Sequence, residues 1–128
     1  MSVTRSAPLL AVAALLAAPT AFAADAANGK AVFEKNACNA CHGITDEPGP
    51  PTGPSLVGVV GRKAASVKEF AMYTDALKKS DLTWNAKNLD EFLAAPMTKV
   101  PGTMMLIPVT DANDRADLIA FLTTLKGK

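Results

Sequence analysis

The sequence predicts an all-α domain of roughly three to five short helices joined by long loops. Three observations lead to this fold class. Apolar residues recur at helical spacing in several segments, and three of the segments are preceded by a residue that can cap a helix. No stretch alternates between apolar and polar residues as a strand would. The connecting loops are rich in proline and glycine, yet several are apolar.

Start and stop residues define the helices. Asp25, Asn85 and Asp111 stand where N-cap side chains are expected, and Pro96 should stop the helix that follows Asn85. The helices are therefore predicted over residues 26–35, 73–79, 86–94 and 112–125. Residues 97–109 are predicted to form an irregular segment, bracketed by Pro101-Gly102 and Pro108.

The first 23 residues have the pattern of a secretory signal peptide. Arg5 precedes a continuous apolar run over residues 9–18, Pro19 breaks it, and Ala21-Phe22-Ala23 supplies an A-x-A cleavage signal. The run is shorter than the roughly 20 residues that span a bilayer, which disfavours the alternative of an uncleaved anchor. We expect a mature domain over residues 24–128, exported to the periplasm by the general route because no twin-arginine pair is present.

The charge of the mature chain excludes two classes of partner. Removing residues 1–23 takes away one cation and leaves 12 basic and 12 acidic residues. A strongly basic surface for nucleic acid is absent, and so is a polybasic run for anionic membranes. We therefore expect no nucleic-acid partner and no stable membrane insertion after signal cleavage.

Residues 43–63 form a long segment that is heavily punctuated by proline and glycine. So long a loop is uncommon in a compact domain unless it has a function or is disordered. Leu56, Val57, Val59 and Val60 make it too apolar for disorder. The loop is therefore predicted to wrap around something, which need not be protein.

The only two cysteines lie in the run Cys38-Asn39-Ala40-Cys41-His42. Two thiols at this spacing can both reach the vinyl groups on one porphyrin edge, and the next histidine is then held under the ring. C-x-x-C-H therefore predicts covalent attachment of one haem c, with His42 as an axial ligand. A zinc site would need about four ligands, and this run offers only three, Cys38, Cys41 and His42. A thioredoxin-like pair would need a βαβ context, and a surface disulfide is the remaining alternative.

Methionine is the candidate for the other axial position, since His42 is the only histidine. Met72 lies near the start of a predicted helix, where core packing is the simpler interpretation. Met104 and Met105 lie in an irregular loop from which a thioether can face iron. Composition does not choose between these two.

The sequence resembles class I cytochrome c, the family of small monohaem c-type cytochromes of mitochondria and bacteria. The resemblance extends over nearly all of residues 26–126. The shared features are Gly29 and Phe33, CNACH at 38–42, Gly53-Pro54-Ser55-Leu56, Gly61-Arg62-Lys63, Tyr73-Thr74, Trp84, Leu89, Phe92-Leu93, Pro96, residues 100–105 and residues 117–122. The resemblance implies the cytochrome c fold, with short helices and long loops around one covalently bound haem.

The resemblance also implies roles for individual residues. The family places its axial methionine second after Pro-Gly-Thr, which is Met105. The Pro54 carbonyl would accept a hydrogen bond from the far nitrogen of the His42 ring. Arg62, Tyr73 and Trp84 would bind the haem propionates, although each could instead be plain packing.

The chain departs from the family pattern at several positions. Phe92 replaces a tyrosine, Leu77 falls near a usual asparagine, and Ile107 replaces a phenylalanine that often covers the haem edge. These changes affect the expected reduction potential and leave the cofactor unchanged. Only Lys35 and Lys99 are expected near the exposed edge, so long-range attraction of an acidic partner should be weak.

The predicted function is electron transfer by a monomer that is not an enzyme. Its partners would be redox proteins: a donor dehydrogenase or cytochrome complex, and an acceptor oxidase or reductase. The alternative is a haem subunit held permanently in a periplasmic dehydrogenase or oxidase complex. A peroxidase-like or ligand-sensing haem is disfavoured because Met105 is available and no distal histidine exists.

Overall fold

The structure is a computed structural model that describes residue 18 and residues 22–127. Its described part contains five α-helices, one short 3₁₀ helix and no strand, which confirms the predicted all-α class. The helices are α1 (Ala26–Lys35), α2 (Asp75–Lys79), α3 (Ala86–Ala94), α4 (Pro96–Lys99) and α5 (Ala112–Thr124), and the 3₁₀ helix covers Cys38–Ala40. No helix in the described residues is both long and apolar enough to cross a membrane.

Side-chain caps set where four helices begin. Asp25, Thr74, Asn85 and Asp111 each accept a hydrogen bond from a backbone N–H group in the first turn of the helix that follows. Such bonds satisfy N–H groups that have no partner within the helix. The predicted caps Asp25, Asn85 and Asp111 are therefore confirmed. The second helix begins at Asp75, two residues later than predicted, because Thr74 serves as its cap.

Helices α1 and α5 cross at Gly29. A Cβ atom on Gly29 would lie 1.9 Å from the carbonyl oxygen of Asp117, so only glycine allows the two backbones to approach this closely. The rings of Phe33 and Phe121 pack beside the crossing with centroids 5.7 Å apart. Buried Asp117 accepts hydrogen bonds from the Asp25 backbone N–H (2.7 Å) and the Asn28 side-chain amide (2.5 Å). These contacts thus hold the first helix of the domain against the last.

Pro96 has a second role in addition to the predicted one. Helix α3 does end before it, at Ala94, but Pro96 also occupies the first turn of α4. Proline suits that position because the first N–H groups of a helix have no internal partner. The segment over residues 97–109, predicted to be irregular, therefore begins with the rest of a short helix and is irregular from Val100 onward.

The hydrophobic core lies between α1, α3, α5 and the long loops. Trp84 and Phe92 are buried in it, with ring centroids 5.0 Å apart. The other buried apolar residues are Val32, Phe33, Val59, Leu89, Leu93, Val100, Val109, Leu118, Phe121 and Leu122. Val59 and Val100 place both long loops in the core, as the apolar character of those loops indicated.

Most of the predicted signal peptide, residues 1–23, lies outside the described residues. Phe22 and Ala23 are described, and they are exposed and non-helical. The predicted cleavage point after Ala23 therefore lies just before Asp25, the cap of α1.

Candidate haem site

The two cysteines lie on one tight turn directly after α1. Ala37 adopts a left-handed conformation (φ 53°) and reverses the chain into the 3₁₀ helix. The backbone N–H groups of Cys41 and His42 then donate to the Cys38 carbonyl at 3.2 and 3.0 Å. Both cysteines are free thiols and partly exposed, and burial raises the pKa of Cys38. The turn therefore presents two thiols and an imidazole from five consecutive residues.

The His42 ring is held by the loop that follows. Its Nδ1 atom lies 2.8 Å from the Pro54 carbonyl oxygen. Because a carbonyl only accepts, Nδ1 carries the hydrogen in this contact and Nε2 is left with a free lone pair. Burial lowers the pKa of His42, and the nearby Arg62 cation lowers it further, so the neutral ring is favoured. A neutral imidazole with a free Nε2 is the form that binds a metal.

Gly53 forms one wall of this site. A Cβ atom there would lie 2.7 Å from the Cys41 carbonyl oxygen and 2.8 and 2.9 Å from His42 Cε1 and Nδ1. The imidazole therefore occupies space that only a glycine leaves free. The Gly-Pro pair thus supplies both the close approach and the hydrogen bond that orient His42.

Arg62 braces the same loop. Its guanidinium donates to the Val57 carbonyl at 2.8 Å and to the Ser55 carbonyl at 2.9 Å. The Tyr73 hydroxyl accepts a bond from the Val67 backbone N–H at 3.2 Å. In this structure both side chains thus bond to backbone groups. Their role toward haem propionates, like that of buried Trp84, stays a prediction.

The two candidate methionines point in different directions. Met105 is partly buried and packs against the core, and its backbone N–H donates to the buried Thr103 hydroxyl oxygen at 3.2 Å. Met104 is 78% exposed. The local turn at Thr103 therefore directs one thioether inward and its neighbour outward, which favours Met105 as the ligand.

Residues 100–110, which carry Met104 and Met105, form the methionine loop, and Arg115 anchors its far end. Its guanidinium donates to the carbonyls of Val109 (3.1 Å) and Thr110 (2.8 Å) and to the Asp90 carboxylate (2.7 Å). The Val109 N–H in turn donates to the Leu93 carbonyl at 2.8 Å. Sequence reasoning missed Arg115. The available signal was the position of Arg115 near the N-terminus of a predicted helix, where the helix dipole disfavours a positive charge.

The donor set fits a c-type haem. Two thiols at the C-x-x-C spacing, a neutral imidazole with Nε2 free and an inward-facing thioether are the groups that covalent attachment and six-coordinate iron require. Among the described residues, no group of three or more histidine, cysteine and acidic side chains is placed to hold a free metal ion. The fold and the site define a monohaem c-type cytochrome.

Comparisons with known proteins agree with this class. The family model for cytochrome c matches residues 26–126. Cytochrome c2 of Rhodomicrobium vannielii is 42% identical over 118 residues, which cover 91% of this chain and 92% of the relative. Cytochrome c2 of Rhodoblastus acidophilus is 43% identical over 106 residues, which cover 82% of this chain and 96% of the relative.

A solved structure shows the same fold. Cytochrome cH from Methylobacterium extorquens superposes with a TM-score of 0.70 at 44% identity, covering 78% of this chain and 98% of that one. The chain belongs to the cytochrome c family. It is an electron-carrying protein with one covalently attached haem c, and the spacing of Cys38 and Cys41 is that of the attachment motif.

Proposed function

We propose that this protein is a periplasmic electron carrier, not an enzyme, whose haem iron is ligated by His42 and Met105. When bound, haem c supplies the one-electron ferrous–ferric couple. The chain supplies the two thioether attachments, both axial ligands and a low-dielectric surrounding. The observation that carries the proposal is the opposite orientation of the two adjacent methionines, since a filled sixth position separates a carrier from an open catalytic haem.

The His42 half of the site supports a rigid ligand. The 2.8 Å contact to the Pro54 carbonyl selects the tautomer in which Nε2 is free. Gly53 packs against the ring, and Arg62 fixes the carbonyls of Ser55 and Val57 on the same loop. A ligand held on two sides moves little between oxidation states, which keeps the barrier to electron transfer low.

The Met105 half supports a closed site. Its thioether faces the core from a loop held by Thr103 on one side and by Arg115 on the other. A protein-supplied sixth ligand leaves no open position for substrate or oxygen. Histidine with methionine also raises the reduction potential. Electron transfer, with no bond made or broken in a substrate, is the chemistry that this arrangement supports.

We further propose that Arg62, Tyr73 and Trp84 bind the haem propionates. A partly buried propionate needs donors, and these side chains offer a guanidinium, a hydroxyl and an indole N–H. The Tyr73 hydroxyl retains its own O–H for donation, because its contact with Val67 uses it only as an acceptor. Arg62 also contributes a positive charge to this part of the site.

The ligand assignment is tested by paired alanine variants of the holoprotein. Met105→Ala should bind added imidazole at least about tenfold more tightly than wild type, because no internal ligand competes for the iron. Its reduction potential should also fall. Met104→Ala is the matched control and should behave as wild type in both measurements. Open coordination in Met104→Ala, with Met105→Ala unchanged, would refute the assignment.

The export proposal has a separate test. Mass spectrometry of the protein purified from its native host should show a mature chain that begins at Ala24, one residue before the cap of α1. Cell fractionation should place it in the periplasm. A mature chain that still contains Met1 would contradict both the cleavage of residues 1–23 and the assignment of the domain to residues 24–128.

A further inference from the structure

Four large apolar side chains are exposed around the methionine loop. Met97, Met104, Leu106 and Ile107 are 50%, 78%, 65% and 46% exposed. We call these four residues the apolar surface. Three of them lie within two residues of Met105, so whatever covers the surface comes close to the candidate iron ligand. Contiguous exposed apolar side chains mark interaction sites more often than chance.

A cleft joins two members of the apolar surface that are distant in sequence. Met97 on α4 and Leu106 in the methionine loop line the same cleft of about 250 Å³, together with Ala95, Pro96 and Pro108. The backbone bond from Val109 to Leu93 holds the loop against the end of α3 beside this cleft. Met97 and Leu106 therefore share one cleft on a fixed framework, and Met104 and Ile107 belong to the same loop as Leu106.

The methionine loop itself carries no charge. Residues 100–110 contain no charged side chain. The two lysines expected near the exposed edge both pair with carboxylates of this chain: Lys99 with Glu91, and Lys35 with Asp114 at 3.2 Å. Neither lysine therefore offers an unpaired cation to an acidic partner. Because charge complementarity sets long-range attraction, the surface suits a partner whose own contact face carries little charge.

We propose that the apolar surface is the docking site for a redox protein with an apolar, weakly charged contact face. This inference rests on the proposed function and specifies the chemistry of the partner. Four side chains cover well under the roughly 800 Å² per partner that a stable complex buries, which favours a transient complex over a permanent dimer. Rapid release is what a diffusing carrier needs.

The test uses the reduced holoprotein and washed membranes of the producing bacterium as oxidant. The test variant is Met104→Gln combined with Leu106→Gln, which removes apolar contact without adding charge. The matched control is Met72→Gln, since Met72 is 61% exposed and lies outside the apolar surface. The measurements are KM and kcat for oxidation of the protein, from about 10 mM to about 200 mM salt.

We expect the wild-type KM to change less than about threefold across this salt range. The double variant should raise KM about tenfold at every salt concentration, with kcat and the visible spectrum unchanged. The control should stay within about twofold of wild type. A KM that rises more than tenfold with salt and is equal in all three proteins would overturn the inference, because charges elsewhere would then direct docking.

Three further outcomes would each contradict a stated part of the proposal. Sedimentation velocity that shows a wild-type dimer, lost in the double variant, would assign the surface to a second copy of the chain and overturn the inference. Wild-type protein that the membranes neither oxidise nor reduce would contradict the proposed function, and this inference with it. Oxidation of wild type with an unchanged KM in the double variant refutes the docking site alone.

Discussion

Replacing Gly53 by alanine tests how the loop orients His42. The new Cβ atom would lie 2.7 Å from the Cys41 carbonyl oxygen and 2.8 Å from the imidazole ring. Ordinary van der Waals contacts of a Cβ atom begin near 3.4 Å. One side of the contact must therefore move by about 0.7 Å to accept a methyl group.

Neither neighbour can move freely in the holoprotein. Cys41 and His42 belong to the turn that attaches to the haem, and the His42 ring is held at 2.8 Å by the Pro54 carbonyl. Overpacking of this kind typically costs about 1–3 kcal/mol. Displacing the ring would also weaken a hydrogen bond with a net value of about 1 kcal/mol. We therefore expect Gly53→Ala to lower the free energy of unfolding by about 2–3 kcal/mol.

Guanidinium unfolding of the holoprotein, followed by the fluorescence of the single tryptophan Trp84, measures this free energy. Gly127→Ala is the matched control, because its Cβ atom meets only the end of the Val57 side chain at 3.4 Å. The control accounts for the reduced entropy of the unfolded chain that any glycine-to-alanine change brings. A Gly53→Ala protein as stable as the control would refute the steric reasoning.

Three more predictions concern the framework. Gly29→Ala should cost more than about 3 kcal/mol in denaturant unfolding, because its Cβ atom would lie 1.9 Å from the Asp117 carbonyl oxygen; a loss below 1 kcal/mol would contradict the close crossing. Arg115→Ala removes three hydrogen bonds and should lower the free energy of unfolding by about 2 kcal/mol, whereas Asp90→Asn, which keeps the backbone contacts of the arginine, should cost less. Two lysine partners lower the pKa of Glu91 to about 2, so wild type should lose stability as pH falls from about 4.5 to 2. Glu91→Gln should lose less over that range in thermal melts, and an identical pH profile would argue against these ion pairs.

The helices could be predicted because their signals are local. Asp25, Asn85 and Asp111 cap the helices that begin next to them, and the apolar spacing within each helix is visible over two or three turns. Pro96 shows the limit of this reasoning. Proline stops one helix and suits the first turn of the next, and a local pattern does not say which of these follows.

The contacts that hold the site could not be predicted in the same way, because their partners are distant in sequence. Lys35 pairs with Asp114, which lies 79 residues further along the chain. The sequence indicated only that this lysine lies near the exposed edge, and the fold brings a carboxylate to it. The carbonyls that Arg62 binds lie only five and seven residues before it, but the loop between them is irregular and no local pattern indicated these bonds.

Helix α3 connects these observations, because two adjacent carboxylates on it hold both ends of the methionine loop. Glu91 pairs with Lys99, immediately before the loop, and Asp90 pairs with Arg115, which also binds the carbonyls at its end. The thioether of Met105 is therefore positioned by the framework and not by the loop alone. A loop fixed at its two ends can expose apolar side chains to a partner while the partly buried side chain of Met105 stays in place. The same construction thus suits both the closed iron site and the uncharged docking surface that we propose.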